Sequence, residues 1–342
     1  MRAVLIREHG GLDVLRVEER DVPVPGPGEA RVRVCAVGLN HLDLWVRKGV
    51  PGHTFPLPLV PGSDVAGIVD ALGVGARGVR EGDPVVVGPG ISCGICPACR
   101  SGRDPLCADY AILGESRDGG CADFLVVPAL NLFPKPPSLD FPAAAAVPLA
   151  FLTAWHMLVD RAAVRPGERV LVHAAGSGVS SAAIQIARLL GARVLATAGS
   201  DEKCARAVEL GAAVAVNYRA ADFSRAAKEW SEGRGVDVAL DHVGAETFER
   251  TLRCLAKGGR YVTCGATSGF EMKTDFRRVF FRSLSILGST MGAGHELARV
   301  LDHVAAGDLR PVVDRVFPLE QVAAAHRHLE SREGFGKTVL VG

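Results

Sequence analysis

The chain has 342 residues, of which 48% are hydrophobic and 23% charged. This composition describes a globular protein long enough for two domains and excludes disorder as its main theme. Lys and Arg number 39 against 38 Asp and Glu, so no large field of one sign exists to attract nucleic acid or an anionic membrane. The longest apolar run, residues 143–158, contains Pro148 and two polar residues, and a membrane span needs roughly 18 uninterrupted apolar residues.

Charged residues appear within the first seven positions, too soon for the apolar centre of a secretory signal. We therefore expect a cytoplasmic protein with reduced cysteines.

The first 130 residues consist of short β-type runs separated by Gly and Pro clusters. Examples are the runs at 30–35, 65–70 and 83–87. Such spacing, without long helical periodicity, favours a compact β-rich barrel or sandwich.

Four cysteines lie close together in a segment rich in Gly, Pro and Arg: Cys93, Cys96, Cys99 and Cys107. Four thiolates at these spacings suit a closed tetrahedral zinc site that stabilises a loop and leaves no position for substrate. Disulfides conflict with a reducing compartment, and an iron–sulfur cluster more often has a shorter last gap. The pattern predicts one structural zinc per chain, while the other five cysteines are expected to be mostly small core residues.

The sequence texture changes after Pro136 and Pro137. An apolar helical stretch at 143–159 is followed by alternating strands and helices, with strands predicted at 169–174, 193–198, 213–216, 236–241, 260–264 and 284–287. This alternation predicts a parallel, doubly wound sheet. A helix at 296–306, a further strand and helix, and a closing strand at 337–341 complete the chain, and this tail is able to return to the first domain.

A glycine-poor turn at 175–181 joins the strand at 169–174 to a helix predicted at 181–190. It would let the backbone approach a pyrophosphate and direct a helix N-terminus at it, although a plain tight turn is the alternative. At the end of the next strand, Ser200 and Lys203 leave room for a 2′-phosphate and carry charge to bind it, while Asp201 and Glu202 oppose it.

Several segments together resemble the medium-chain dehydrogenase/reductase superfamily of zinc alcohol dehydrogenases and NADPH quinone reductases. They are residues 38–43, 61–67, the cysteine segment, 152–155, 174–185, Asn217-Tyr218 and Gly336-Lys337. The resemblance covers the whole chain. It implies an α/β protein in which a GroES-like β-rich catalytic domain at 1–150 and 289–342, with a zinc lobe at about 90–110, surrounds a Rossmann domain at 151–288.

The resemblance also implies a small-molecule substrate, a set of cofactor-binding residues and an assembly. The set is Gly176, Gly178, Val179, Ser180, Ser200, Lys203, Tyr218, Val243, Gly265, Ala266, Ser289, Met291 and Lys337. A homodimer or homotetramer is expected to pair through the sheet edge near 283–288, because an open apolar edge strand would otherwise pair without control.

The chain departs from the zinc alcohol dehydrogenases at their catalytic-zinc ligands. Asn40, Ser63 and Leu149 stand where that branch has cysteine, histidine and cysteine, and none of the three replaces a thiolate or imidazole ligand. The turn departs as well, because Ala175, Ser177 and Ser180 occupy positions that are often glycine. The chain therefore resembles a hybrid of a structural zinc lobe and the metal-free active site of the quinone reductase branch.

Three functions stay open on the sequence alone. The first is a reductase of quinones or α,β-unsaturated carbonyls that uses NADPH, with NADH as the alternative cofactor, and Asn40, His41 and Thr153 as candidate hydrogen-bond donors to the acceptor oxygen. The structural alternatives are a turn for Asn40, a satisfied histidine for His41 and a helix cap for Thr153. The second is an alcohol dehydrogenase that uses unusual ligands such as His41, Asp43 or Asp64, or no metal. The third is a decayed nucleotide-binding protein.

Overall fold

A computed structural model describes residues 1–342. The chain forms two compact units: unit 1 comprises Met1–Ala150 and Gly292–Gly342, and unit 2 comprises Phe151–Met291. The predicted fold class, a β-rich domain plus a doubly wound parallel sheet, is confirmed. None of the helices has the length and apolar character required to cross a membrane.

The strands and helices are numbered in chain order. The strands are β1 (Arg2–Leu5), β2 (Arg16–Glu19), β3 (Glu29–Gly38), β4 (Asp64–Leu72), β5 (Pro84–Val87), β6 (Gly90–Ile91), β7 (Ala111–Ile112), β8 (Phe124–Pro128), β9 (Leu132–Pro134), β10 (Arg169–Val172), β11 (Arg193–Ala198), β12 (Val214–Asn217), β13 (Val236–Asp241), β14 (Leu255–Thr263), β15 (Ser285–Gly288), β16 (Val313–Pro318) and β17 (Lys337–Val341). The helices are α1 (His41–Lys48), α2 (Pro97–Arg100), α3 (Phe141–Ala145), α4 (Pro148–Trp155), α5 (Gly178–Leu189), α6 (Asp201–Glu209), α7 (Phe223–Trp230), α8 (Phe248–Cys254), α9 (Phe276–Phe281), α10 (Gly294–Ala306) and α11 (Val322–Ser331).

The main sheet of unit 1 contains strands from both ends of the chain. Its order is β16-β17-β3-β4-β5-β9, and β8 also pairs with β3. The closing strand β17 is antiparallel to β3, with Val339 opposite Gly38. The C-terminal segment therefore completes the N-terminal sheet and brings Lys337, the first residue of β17, beside the end of β3.

The sheet of unit 2 has the order β12-β11-β10-β13-β14-β15, and every pair in it is parallel. Its central strand β10 contains Val170, Leu171 and Val172, all fully buried, as expected when helices cover both faces of a sheet. The strand order reverses between β10 and β13, and ligands bind at the carboxyl ends of the strands on either side of such a reversal.

The helical stretch predicted as one segment at 143–159 is divided in the structure. Helix α3 is capped by Asp140 and ends at Ala145, α4 begins at Pro148, and a π-helical segment, His156–Arg161, follows. Proline lacks the N–H that a continuous helix needs but fits the first helical position. The stretch is helical as predicted, but a new helix begins at Pro148 instead of continuing from α3.

Candidate functional site

The four clustered cysteines converge in unit 1. The Sγ atoms of Cys96 and Cys99 lie 3.5 Å apart, those of Cys93 and Cys107 also 3.5 Å, and those of Cys93 and Cys99 3.9 Å. Zinc bound by sulfur at about 2.3 Å places tetrahedral sulfurs about 3.8 Å apart. All four ligand atoms lie within 4.8 Å of one another, so the thiols fit a tetrahedral zinc ion.

Backbone N–H groups point at these sulfurs. Cys96 N donates to Cys93 Sγ at 3.4 Å, and Cys99 N donates to Cys96 Sγ at 3.5 Å. N–H groups of Ile95 and Cys96 lower the pKa of the Cys93 thiol to about 7. Such donors stabilise the thiolate form, which is the form that binds a metal.

A buried polar cluster surrounds the end of β3 and the start of β4. Lys337 Nζ lies 2.7 Å from Asp64 Oδ2 and donates to Asn40 Oδ1 at 2.6 Å. Asn40 Nδ2 donates to Asp64 Oδ2 at 3.0 Å and to Gly38 O at 3.3 Å. Since Asn40 Oδ1 and Nδ2 both have partners within unit 1, the amide bridges the ion pair.

Asp43 adds a second buried carboxylate to this region. Its Oδ2 accepts from Asn40 N at 2.7 Å, and its Oδ1 accepts from Gly62 N at 2.9 Å. Burial raises the pKa of Asp43 to about 6, against the lowering effect of those N–H groups and of Lys337. The carboxylate fixes the entry into α1 against the loop before β4.

The positions expected to bind a catalytic zinc in alcohol dehydrogenases carry no ligand set here. Asn40 is committed to the ion pair, Leu149 donates its backbone N–H to Asp64 Oδ1 at 2.5 Å, and Ser63 is fully buried with no partner for its hydroxyl. The carboxylates of Asp43 and Asp64, weighed above as unusual ligands, are occupied by N–H donors. The cysteine cluster is the one group of three or more His, Cys, Asp or Glu side chains placed to hold a metal. The residues do not fit a second zinc.

The two other predicted donors have different surroundings. His41 begins α1 and stacks edge-on against Trp45, with ring centroids 5.2 Å apart. Thr153 lies within α4 rather than at its start, and its hydroxyl donates to Met291 Sδ at 3.9 Å. Thr153 does not cap a helix, so that structural alternative is wrong.

The glycine-poor turn between β10 and α5 contains one left-handed residue and ends in a helix cap. Ala174 adopts φ +52°, a left-handed conformation that usually favours glycine. Ser177 caps α5, because its Oγ accepts from Ser180 N at 3.0 Å. The predicted helix start at 181 was three residues late, since Ser177 is the cap. The N–H groups of Gly178 and Val179 lie in the first turn, where no intrahelical acceptor exists.

The end of β11 carries the predicted phosphate-binding residues and one that the sequence reasoning missed. Ser200 caps α6 and accepts from Lys203 N at 3.3 Å. A Cβ built on Gly199 would lie 2.8 Å from Tyr218 Oη and 3.5 Å from Arg219 Nε. Arg219 therefore adds a guanidinium to this corner, and its position next to the Asn217-Tyr218 pair is the signal that pointed to it.

The remaining predicted cofactor residues of unit 2 follow the carboxyl ends of β13, β14 and β15. Val243 donates its N–H to Asp241 Oδ1 at 2.7 Å, Gly265 and Ala266 follow β14, and Ser289 donates its N–H to Thr263 O at 2.9 Å. The Ser289 hydroxyl is buried without a partner. Lys337, by contrast, belongs to unit 1 and its ammonium is paired.

Comparisons with known proteins agree across the whole chain. Residues 26–137 match the model of the alcohol dehydrogenase GroES-like domain, and residues 210–340 match that of the zinc-binding dehydrogenases. A solved structure described as an NAD-dependent alcohol dehydrogenase is 53% identical, covers 100% of both chains and has a TM-score of 0.97. A zinc-type alcohol dehydrogenase-like protein of Schizosaccharomyces pombe is 34% identical over 99% of both chains. The quinone oxidoreductase of Pongo abelii is 31% identical over 100% of this chain and 98% of its own.

Proposed function

The chain belongs to the medium-chain dehydrogenase/reductase superfamily of zinc-type alcohol dehydrogenases and quinone oxidoreductases, and we propose that it reduces quinones or α,β-unsaturated carbonyls without a catalytic zinc. As an NAD(P)-dependent oxidoreductase it moves a hydride between a nicotinamide and a small organic molecule. The choice of acceptor is the proposed part.

The buried cluster of Asn40, Asp64 and Lys337 carries this proposal. At one of the three positions where zinc alcohol dehydrogenases place ligands, this chain has Asn40, whose amide bridges the ion pair of Asp64 and Lys337. A simple ketone or aldehyde needs strong polarisation of its oxygen, which zinc supplies as a Lewis acid. Conjugated acceptors need less, because the negative charge that follows hydride addition spreads over the conjugated system.

The nicotinamide cofactor, when bound, supplies the hydride. The side chains of this protein orient the acceptor and donate hydrogen bonds to the oxygen that becomes negative. His41 is proposed as one such donor, since it is the first residue of α1, directly after Asn40, and its ring packs edge-on against Trp45. Thr153 is a second proposed donor and would exchange its weak contact with Met291 Sδ for the acceptor oxygen. Asn40, whose amide is occupied by Lys337 and Asp64, is proposed to act through that ion pair by holding it in place.

We propose NADPH as the preferred cofactor. Tyr218 Oη and Arg219 Nε lie beside Gly199 at the end of β11, and Ser200 and Lys203 follow at the start of α6. An NAD-specific site places a carboxylate there against the ribose hydroxyls. Asp201, the residue after Ser200, is a carboxylate near this position, and its Oδ1 accepts a hydrogen bond from Asn217 Nδ2 at 2.8 Å. The cationic side chains of Lys203 and Arg219 and the hydroxyls of Ser200 and Tyr218 support binding of a 2′-phosphate. The similarity to a structure described as an NAD-dependent alcohol dehydrogenase favours NADH instead.

Alcohol dehydrogenase activity is the second candidate. The observation in its favour is the 53% identical structure with that description. A panel of quinones, enones, aldehydes and alcohols, each tested with NADPH and NADH, separates the two. Reduction of quinones or enones by protein with one zinc per chain supports the proposal. Efficient alcohol oxidation by protein with two zinc ions per chain would replace it.

We also propose assembly through the β15 edge of unit 2. Strand β15 is the last in the sheet, and Phe276, Phe280 and Phe281 of the neighbouring α9 are 67%, 60% and 71% exposed. An open edge beside exposed aromatic rings is a surface that a second copy would cover. Light scattering at micromolar concentration is expected to show a dimer or tetramer, and Phe280→Glu is expected to weaken it.

A further inference from the structure

A histidine side chain connects the segments that follow β10 and β13, the two strands between which the strand order of the unit 2 sheet reverses. His242 follows β13, and its Nε2 lies 2.9 Å from Ser177 Oγ and 2.9 Å from Ser180 Oγ. Both serines belong to the turn and first helical residues after β10, on the other side of the strand-order reversal. Both also occupy positions where the superfamily often has glycine.

The hydrogen bonds around Ser180 determine which nitrogen of the imidazole carries a proton. Ser180 Oγ donates its only proton to His173 O at 2.6 Å. Its contact with His242 Nε2 must then be donated by the imidazole. The Nε2–H group lies between two serine oxygens, and Ser177 Oγ meanwhile accepts from Ser180 N at 3.0 Å.

This arrangement determines which N–H groups of α5 are available. Ser177 satisfies the N–H of Ser180, while the N–H groups of Gly178 and Val179 stay in the open first turn. A glycine at position 177 would let a pyrophosphate approach without any side chain nearby. With serine there, the hydroxyl has to be held on the Ser180 side, or it competes with phosphate oxygens for the first-turn N–H groups.

We propose that His242 is a positioning residue for the dinucleotide, and that it acts by holding the Ser177 and Ser180 hydroxyls away from the pyrophosphate. This inference rests on the proposed use of a nicotinamide dinucleotide at this turn. At a glycine position the space for the pyrophosphate is clear because there is no side chain. Here we propose that the imidazole keeps that space clear by holding the serine hydroxyls. In this proposal the imidazole acts through the two serines and makes no contact with the dinucleotide itself.

The first test measures binding of NADPH and NADH directly, by calorimetry or by quenching of tryptophan fluorescence, without any acceptor. His242→Ala is expected to weaken binding about tenfold, a loss equivalent to one hydrogen-bonded contact. His242→Gln, whose amide N–H has a similar reach, is expected to retain affinity within about twofold of the wild type. Ser181→Ala is the matched control, because Ser181 Oγ donates to Gly178 O on the same turn and does not contact His242.

The second test asks whether His242 acts through the serines. In a Ser177→Gly, Ser180→Gly background, His242→Ala is expected to change dinucleotide affinity less than about twofold, because no hydroxyl is left to hold. At saturating cofactor, His242→Ala is expected to retain the wild-type kcat while the KM for cofactor rises.

Three outcomes would overturn the inference. They are unchanged dinucleotide binding in His242→Ala, an undiminished effect in the double-glycine background, and loss of affinity in His242→Gln equal to that in His242→Ala despite a wild-type melting temperature. If the wild type binds neither dinucleotide, the proposed function fails as well. If it binds one of them but reduces no quinone or enone, the substrate class alone is wrong.

Discussion

Lys337 Nζ and Asp64 Oδ2 form a 2.7 Å ion pair in which the lysine side chain is 5% exposed and the aspartate fully buried. The two residues come from opposite ends of the chain, one opening β17 and the other opening β4. Because Asn40 bridges both charges, the pair connects the last strand of unit 1 to the region expected to receive the acceptor.

Lys337→Met is expected to lower the free energy of unfolding by about 3–5 kcal/mol, because it removes the counter-ion of the fully buried Asp64. The variant that also carries Asp64→Leu is expected to recover part of this loss, since both charges are then absent. Urea unfolding of the two variants and the wild type gives the comparison. Equal losses in the single and double variants would contradict a buried, compensated pair.

Asn40→Ala is expected to lower turnover more than it raises the KM for cofactor, because it loosens the Lys337–Asp64 pair beside the proposed acceptor site and removes no cofactor contact. It also removes one partner from each of Lys337 and Asp64, so a lower unfolding temperature should accompany it. Steady-state kinetics and a thermal melt measure the two effects separately. A lower melting temperature with unchanged turnover would leave Asn40 a purely structural role.

Cys99→Ser is expected to reduce zinc from about one ion per chain to none, because three thiolates and a hydroxyl form a much weaker site. The lobe should then unfold locally and lower the thermal midpoint, since metal binding stabilises such small segments. Cys204→Ser, outside the cluster, is the control and should keep its zinc. Elemental analysis of both proteins decides, and a visible iron chromophore in the wild type would contradict the assignment.

Arg219→Ala and Lys203→Ala are each expected to raise the KM for NADPH about tenfold with little change for NADH, because a charge-assisted contact to phosphate is worth roughly 1.5–3 kcal/mol. Asp201→Asn should have the opposite effect, since it removes a negative charge from the same corner. Kinetics with both cofactors provide the measurement. A wild type that prefers NADH would show that this corner does not bind a 2′-phosphate.

The free energy of unfolding is expected to depend on pH because His326 is buried. Burial lowers its pKa to about 3, with Arg47 adding to the shift and Glu330 opposing it. The unfolded chain takes up a proton near pH 6.5 while the folded chain does not, so stability falls as pH drops from about 6.5 toward 3, by up to about 1.4 kcal/mol per pH unit. His326→Gln retains an acceptor for Arg47 and should show a shallower decline between pH 7 and 5. His53→Gln, at an exposed histidine, is the control, and parallel curves for His326→Gln and the wild type would contradict the prediction.

The amino-acid sequence by itself determined the family, the two fold types and the grouping of the four cysteines. These features depend on patterns between residues that are close in the sequence. The patterns are an alternation of strands and helices, four closely spaced cysteines, and short motifs of the family. The fold class was predicted from the change after Pro137, where short strands separated by Gly and Pro give way to alternating strands and helices.

Only the tertiary structure decided what the polar residues of the site touch. Asn40 was predicted from the sequence as a donor to substrate, but its amide bridges Asp64 and Lys337, a residue almost three hundred positions away. Arg219 lies at the end of β11 because β12, the strand that precedes it, pairs with β11. His242 contacts Ser177 because β13 pairs with β10. Contacts of this kind depend on strand pairing between distant segments, and hydrophobic periodicity contains no information on which polar groups that pairing brings together.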